Sequence, residues 1–206
     1  MNSTEFGALL VLATAVSFTP GPNTTLSTAI AANRGLKPAM RFVCAVPVGW
    51  GLLLVLCALG LGAVVMAAPM LRWAVLGLGV AYMLWLAWRL SGSAALTAND
   101  ARKLNVGFAQ GVMLQFVNLK AWLLAMAIAS GWVAGRADWP VRLAQVLPVM
   151  LLFALSSNLA YALMGSALRG RLAQGRRLLW FNRAMALALA MTALWMAWSA
   201  RSGGSA

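Results

Sequence analysis

Six apolar runs, near residues 6–32, 39–66, 70–90, 107–133, 143–167 and 179–200, occupy most of this chain, with only short gaps between them. A helix needs about 20 apolar residues to cross a hydrocarbon core of ~30 Å, and each run is long enough. In lipid the backbone must satisfy its own hydrogen bonds, so continuous runs of this kind fold as helices packed on one another. Composition agrees: 63% of the 206 residues are hydrophobic and 9% are charged, against about 45–50% and about 25% in soluble domains. The expected fold is all-α, a polytopic membrane protein of six transmembrane helices forming one transmembrane domain over residues 1–206.

The charge balance sets an orientation. Sixteen Lys and Arg face only Glu5, Asp100 and Asp138, for a net charge of +13. Such an excess also suits nucleic acid, but here the bases sit in short gaps between apolar runs, which is the membrane-orientation pattern. No nucleic-acid partner is expected; the bilayer is. The first, third and fifth gaps hold Arg34, Lys37, Arg41, Arg89, Arg102, Lys103, Arg169, Arg171, Arg176, Arg177 and Arg183, and the opposite side holds Arg72, Arg136, Arg142 and Arg201. The positive-inside rule then puts the polar stretch 91–106 in the cytoplasm and both termini outside it. The opening residues MNSTEF carry no basic n-region, so the first run is expected to be a retained span rather than a secretory signal. Eight of the ten tryptophans fall near span ends, where the indole suits the headgroup layer. Trp50 and Trp122 come out near mid-bilayer.

The two halves echo each other. SFTPGPN around Phe18 is matched by QFVNLK around Phe116, AVPVGW around Pro47 by VLPVML around Pro148, and LWLAW at 84–88 by LWMAW at 194–198. The three matches recur in order. A three-span unit repeated once must appear in opposite orientations, so the expectation is two inverted three-helix repeats, about 1–90 and about 107–200, joined by a cytoplasmic linker at about 91–106. Inverted repeats are the build of many secondary transporters, whose substrates bind near the midplane at discontinuous helices.

Pro20, Gly21 and Pro22 fall inside the first run, where proline removes a backbone donor and forces a break or kink. From Phe6 to Pro20 is ~21 Å of helix, and from Gly107 to Asn118 ~17 Å; half the core is ~15 Å. Both motifs therefore lie near the midplane, approached from opposite sides. A half-helix starting at Pro22 or Asn23 would present free amides and the positive end of its dipole, which suits a carboxylate. The competing reading is a kink that serves packing alone. Lys120 is the sharper signal, because a cation at mid-span costs ~2.5–3.5 kcal/mol or more and such residues mark pathways. No carboxylate lies in any span to pair with it. Asn118, Asn23, freed carbonyls or a substrate carboxylate are its candidate partners.

Weaker candidates are Thr19, Thr24 and Thr25 beside the break, and Ser156, Ser157, Asn158 and Tyr161 in the fifth span, where interhelical hydrogen bonds are the ordinary explanation. Trp50 and Trp122 could wall a cavity and hold an ammonium over an indole face, or pack in the core. Cys44 and Cys57 would be ~20 Å apart on one helix, too far for a disulfide. That removes a thiol-disulfide electron carrier, and the lack of a ligand cluster removes a divalent-cation exporter. No acid, base or metal constellation for an enzyme is present in the spans, and no cofactor is expected. Gly107 and Gly111 form a small-xxx-small pair that suits either a homo-oligomer or packing within the chain.

FTPGPN, the glycine-rich second span, GVAYMLWLAWRL and FAQGVMLQFVNLKAWLL together resemble the lysine exporter (LysE/RhtB) family of bacterial amino-acid exporters. The resemblance covers nearly the whole chain. It implies a six-span inner-membrane secondary transporter that moves amino acids or related small carboxylated metabolites outward on the proton gradient. The family's Pro-Gly-Pro falls on Pro20, Gly21 and Pro22, followed by Asn23, and its Asn-Pro-Lys on Asn118 and Lys120. The substrate-binding set so expected is Thr19, Pro20, Gly21, Pro22, Asn23, Trp50, Asn118, Lys120, Trp122, Asn158 and Tyr161. Two departures stand out: Leu119 replaces the family's proline, which predicts a softer or absent second break, and no span holds an acid or histidine to carry a proton. The alternative function is export of another small solute or cation, or a non-transporting membrane protein of the same fold.

Overall fold

A computed structural model describes residues 1–92, 106–174 and 176–202. Most of the expected linker, with Asp100, Arg102 and Lys103, lies outside the described residues. Those described form helices and no strand: α1 (Ser3–Phe18), α2 (Pro22–Arg34), α3 (Leu36–Ala58), α4 (Leu61–Ala67), α5 (Pro69–Ser91), α6 (Phe108–Val117), α7 (Leu119–Ile128), a π-helical turn (Ala129–Val133), α8 (Trp139–Leu172) and α9 (Arg177–Ser202). Among them α3, α5, α8 and α9 are each long and apolar enough to cross a membrane. The pairs α1–α2 and α6–α7 qualify as bent spans, which raises the number to six.

Local chemistry sets the boundaries. Asn2 caps α1, its Oδ1 accepting from the Glu5 amide at 2.7 Å while Glu5 Oε2 accepts from the Asn2 amide at 3.0 Å. Pro22 opens α2, where its missing N–H is no loss. The expected second run, 39–66, is corrected: α3 ends at Ala58, and Gly60 turns the chain at φ 95° into the separate short helix α4. A left-handed residue of this kind ends a helix at little cost only when it is glycine. Pro47 and Pro148 lie inside α3 and α8, which continue through them. Cys44 and Cys57 are both free, Cys44 on the surface and Cys57 buried.

The core is divided into two layers along α3 and α8. One layer gathers Leu26 and Ile30 of α2, Phe42 and Val46 of α3, Leu86 and Leu90 of α5, Leu114 of α6, Ala162 of α8 and Leu189 of α9. The other gathers Leu9 and Ala13 of α1, Trp50, Leu53 and Leu54 of α3, Ala121, Trp122 and Ile128 of α7, and Val146 and Met150 of α8. A smaller cluster joins α5 to α9 through Leu76, Met83, Ala193 and Met196. The division on α3 falls between Val46 and Trp50.

The two layers are held differently. In the first, α2 is almost wholly buried, and glycines let backbones meet: a Cβ on Gly165 would stand 2.2 Å from the Thr28 carbonyl oxygen, and one on Gly79 would stand 1.8 Å from that of Val117. Gly111 packs on Ala45 and Phe42 of α3, so it serves contact within the chain. In the second, α1 buries only Leu9 and Ala13. Its N-terminal end is fastened by charge instead. Arg142 at the start of α8 donates to Asp138 at 2.8 and 3.0 Å and to Glu5 at 3.3 and 3.2 Å, and Trp132 Nε1 donates to the Glu5 carbonyl at 3.0 Å.

Candidate substrate cavity

The first span bends by 49° between Phe18 and Pro22, and the fourth bends by 71° between Val117 and Leu119. The second break is thus the sharper one, against the expectation drawn from Leu119. Asn118 accounts for it. Its side chain caps α7, Oδ1 accepting from the Lys120 amide at 3.1 Å, and Trp122 Nε1 donates at 2.8 Å to the Phe116 carbonyl left open where α6 ends. A cap at the start and a donor at the preceding end satisfy the freed groups, so no proline is required.

Between the two layers lies a cavity that opens to the surroundings. Its wall takes Val16, Ser17 and Thr19 from the end of α1, Gly21 to Thr24 from the start of α2, Val46 and Trp50 from α3, Asn118, Lys120, Ala121 and Leu124 from α7, and Met150, Ala154, Ser157 and Asn158 from α8. At the first break the Gly21 amide donates to Thr24 Oγ1 at 2.9 Å, and that hydroxyl donates to the Gly21 carbonyl at 3.1 Å. Glycine has no side chain to cap the amides of Asn23 and Thr24, so these remain the positive pole of α2.

Lys120 stands against that pole. A Cβ on Gly21 would lie 3.2 Å from Lys120 Nζ, so the absence of a side chain there lets the ammonium approach the backbone. The ammonium donates to the Thr19 carbonyl at 3.5 Å and, among the described residues, has no carboxylate partner. No acid lines the cavity. An ammonium beside a helix N-terminus repels it; an anion placed between them would be attracted by both.

Below the breaks a ladder of neutral pairs ties α2 to its neighbours. Asn23 and Gln115 exchange two hydrogen bonds, at 2.9 and 3.1 Å. Ser27 donates to Asn158 at 2.9 Å. Asn33 and Asn182 exchange another two, at 2.7 and 2.9 Å. Each of these groups is buried or partly so, and each is satisfied, as buried polar groups must be.

The family described as LysE type translocator matches residues 14–200, nearly the whole described chain. The chain belongs to that family. It is similar to the cysteine/O-acetylserine efflux protein of Klebsiella pneumoniae, at 30% identity over 90% of this chain and 94% of the relative. The same-named proteins of Salmonella typhimurium, at 30% over 72% and 76%, and of Escherichia coli O9:H4, at 29% over 80% and 84%, are further relatives. No solved structure matches the chain significantly. This LysE translocator is accordingly a multi-pass membrane protein of a bacterial transporter family, an exporter of amino acids or related small metabolites and not an enzyme.

Of the residues singled out in the translocator's sequence, Thr19, Gly21, Pro22, Asn23, Trp50, Asn118, Lys120 and Asn158 line the cavity. Pro20, Trp122 and Tyr161 do not. Pro20 is exposed, Trp122 is committed to the Phe116 carbonyl, and the Tyr161 hydroxyl donates to the Phe18 carbonyl at 3.0 Å, tying α8 to the end of α1. Ser156 and Ser157 bond within α8, to the Phe153 and Ala154 carbonyls. Gln115, Ser27, Asn33 and Asn182 were not singled out. The rule that flagged Lys120, a polar side chain inside an apolar run, flags Gln115 and Asn182 equally well.

Proposed function

We propose that the cavity binds a small amino acid by its carboxylate, held between Lys120 and the start of α2, and that the protein releases it on the periplasmic face of the bacterial inner membrane. Cysteine and O-acetylserine, named for the relatives, are the first substrates to try. The observation that carries the reading is the Lys120 ammonium set against the bare backbone of Gly21 with no acid on the cavity wall. A cationic side chain would meet repulsion and no partner there, so lysine-like substrates are disfavoured.

The architecture we infer is two inverted repeats, about 1–90 and about 107–200, with 91–106 in the cytoplasm and both termini in the periplasm. Two bent spans with their breaks on one cavity support it, as does the bias of basic residues toward one side. The proton gradient is the driving force in this reading. With no acid on the cavity wall, the proton travels on the Lys120 amine or on the substrate itself.

Lys120→Met tests the site. The methionine removes the charge at similar length, so the variant should insert normally while export of O-acetyl-L-serine from proteoliposomes falls to the background rate. Export at the wild-type rate would place the carboxylate elsewhere and end this assignment.

A further inference from the structure

We propose that the indole N–H of Trp50 is a specificity donor, which reads a neutral acceptor oxygen on the substrate side chain; this rests on the cavity being the amino-acid site. Two other tryptophans of the same layer have their N–H groups engaged, Trp122 with the Phe116 carbonyl and Trp132 with the Glu5 carbonyl. Trp50 is 5% exposed, lies on the cavity wall, and has no acceptor among the described residues. No buried side-chain nitrogen or oxygen among those residues lacks a partner, so the Trp50 nitrogen is an accessible atom on a buried ring. The cavity is where the structure places that residue's free space.

The backbone that carries the ring is closely packed. Trp50 stands between two glycines that bring α3 against its neighbours on either side. A Cβ on Gly49 would lie 2.6 Å from the Val112 carbonyl of α6, and one on Gly51 would lie 2.8 Å from Leu151 of α8. Leaving a donor unmatched when water is excluded costs a hydrogen bond. Asn118 adds a second donor: its Oδ1 is taken by the Lys120 amide, and its Nδ2 has no acceptor among the described residues.

The cavity therefore offers two donors, Trp50 and Asn118, beyond those that a carboxylate would use. Lys120, the start of α2, Trp50 and Asn118 donate, whereas the acceptors on the wall are carbonyls and hydroxyls such as the Thr19 carbonyl and Ser157 Oγ. A carboxylate uses the first two donors. The ligand class that answers the rest is a small amino acid with a second, uncharged oxygen acceptor, an ester or amide carbonyl. An alkyl side chain of equal length would fill the space and leave Trp50 unpaired.

The test compares O-acetyl-L-serine with L-norleucine, which has a side chain of equal length and no acceptor, as competing probes in proteoliposomes. In Trp50→Phe the preference for the ester over norleucine should fall about threefold to tenfold, the range of one neutral hydrogen bond. If Trp50→Phe does not fold, benzothienylalanine at position 50 keeps the shape with sulfur in place of N–H, and the same ratio decides. An unchanged ratio, or equal loss for both probes, makes Trp50 a packing residue and overturns the proposal. Lys120→Met separates the two readings. If it transports both probes at the wild-type rate, the carboxylate site itself is wrong; if it loses both while the Trp50 ratio is unchanged, only the Trp50 donor is wrong.

Discussion

Asn23 and Gln115 bind each other amide to amide, across the meeting point of the two broken spans and directly beneath the cavity. Gln115 is fully buried and sends its second N–H to the Gly111 carbonyl, so its Oε1 depends on Asn23 as donor. Replacing Asn23 by leucine strands that oxygen, at a cost of about 1–3 kcal/mol. The double variant Asn23→Leu, Gln115→Leu removes both amides and should recover part of the loss. Thermal unfolding of the four proteins in detergent gives the coupling directly. Additive losses would mean that the pair does not act as a unit.

Gly79 and Gly77 lie two residues apart on α5 in opposite surroundings. A Cβ at Gly79 meets the Val117 carbonyl oxygen at 1.8 Å, just before the second break, whereas one at Gly77 meets nothing within 4 Å. Gly79→Ala should therefore destabilise by about 1–3 kcal/mol, the usual scale of overpacking. Gly77→Ala should be neutral or stabilising by up to about 1 kcal/mol, because alanine favours the helix. Melting temperatures that move together would refute the close approach of α5 to the break.

Asp138 gives the clasp between α1 and α8 a pH dependence. Its hydrogen bonds from Arg142 hold the carboxyl below its ordinary value of 3.8, against a smaller opposing effect of desolvation. A carboxylate with a depressed folded-state pKa adds stability above its unfolded value and loses it as pH falls through the folded one. The stability difference between wild type and Asp138→Asn should be constant from neutral pH down to the carboxylate range and vanish below it. A difference that persists in strong acid would show that the side chain acts by shape and not by charge.

Much of this was legible in the residues. Apolar run length gives the membrane-spanning character of the helices, Pro-Gly-Pro gives the first break, and Lys120, a lone lysine in an apolar run, lies on the cavity wall. The second break does not depend on the missing proline, because Asn118 supports it by capping α7. The partners of Asn23, Ser27 and Asn33 were hidden for a different reason. Which polar residues meet depends on how α2 lies against α6, α8 and α9, and periodicity within one run carries no information about that. The same holds for Gly79 and Gly165, whose importance comes from carbonyls on other helices.

The polar ladder along α2 also sets a schedule for making the protein. Asn23, Ser27 and Asn33 precede their partners by 92, 131 and 149 residues. At about 5–20 residues per second, the ribosome supplies those partners about 5–30 s after α2 itself. Throughout that interval α2 carries unmatched amides and a hydroxyl that lipid cannot satisfy. The packing of α2 is therefore expected to be completed only after α9 has been synthesised.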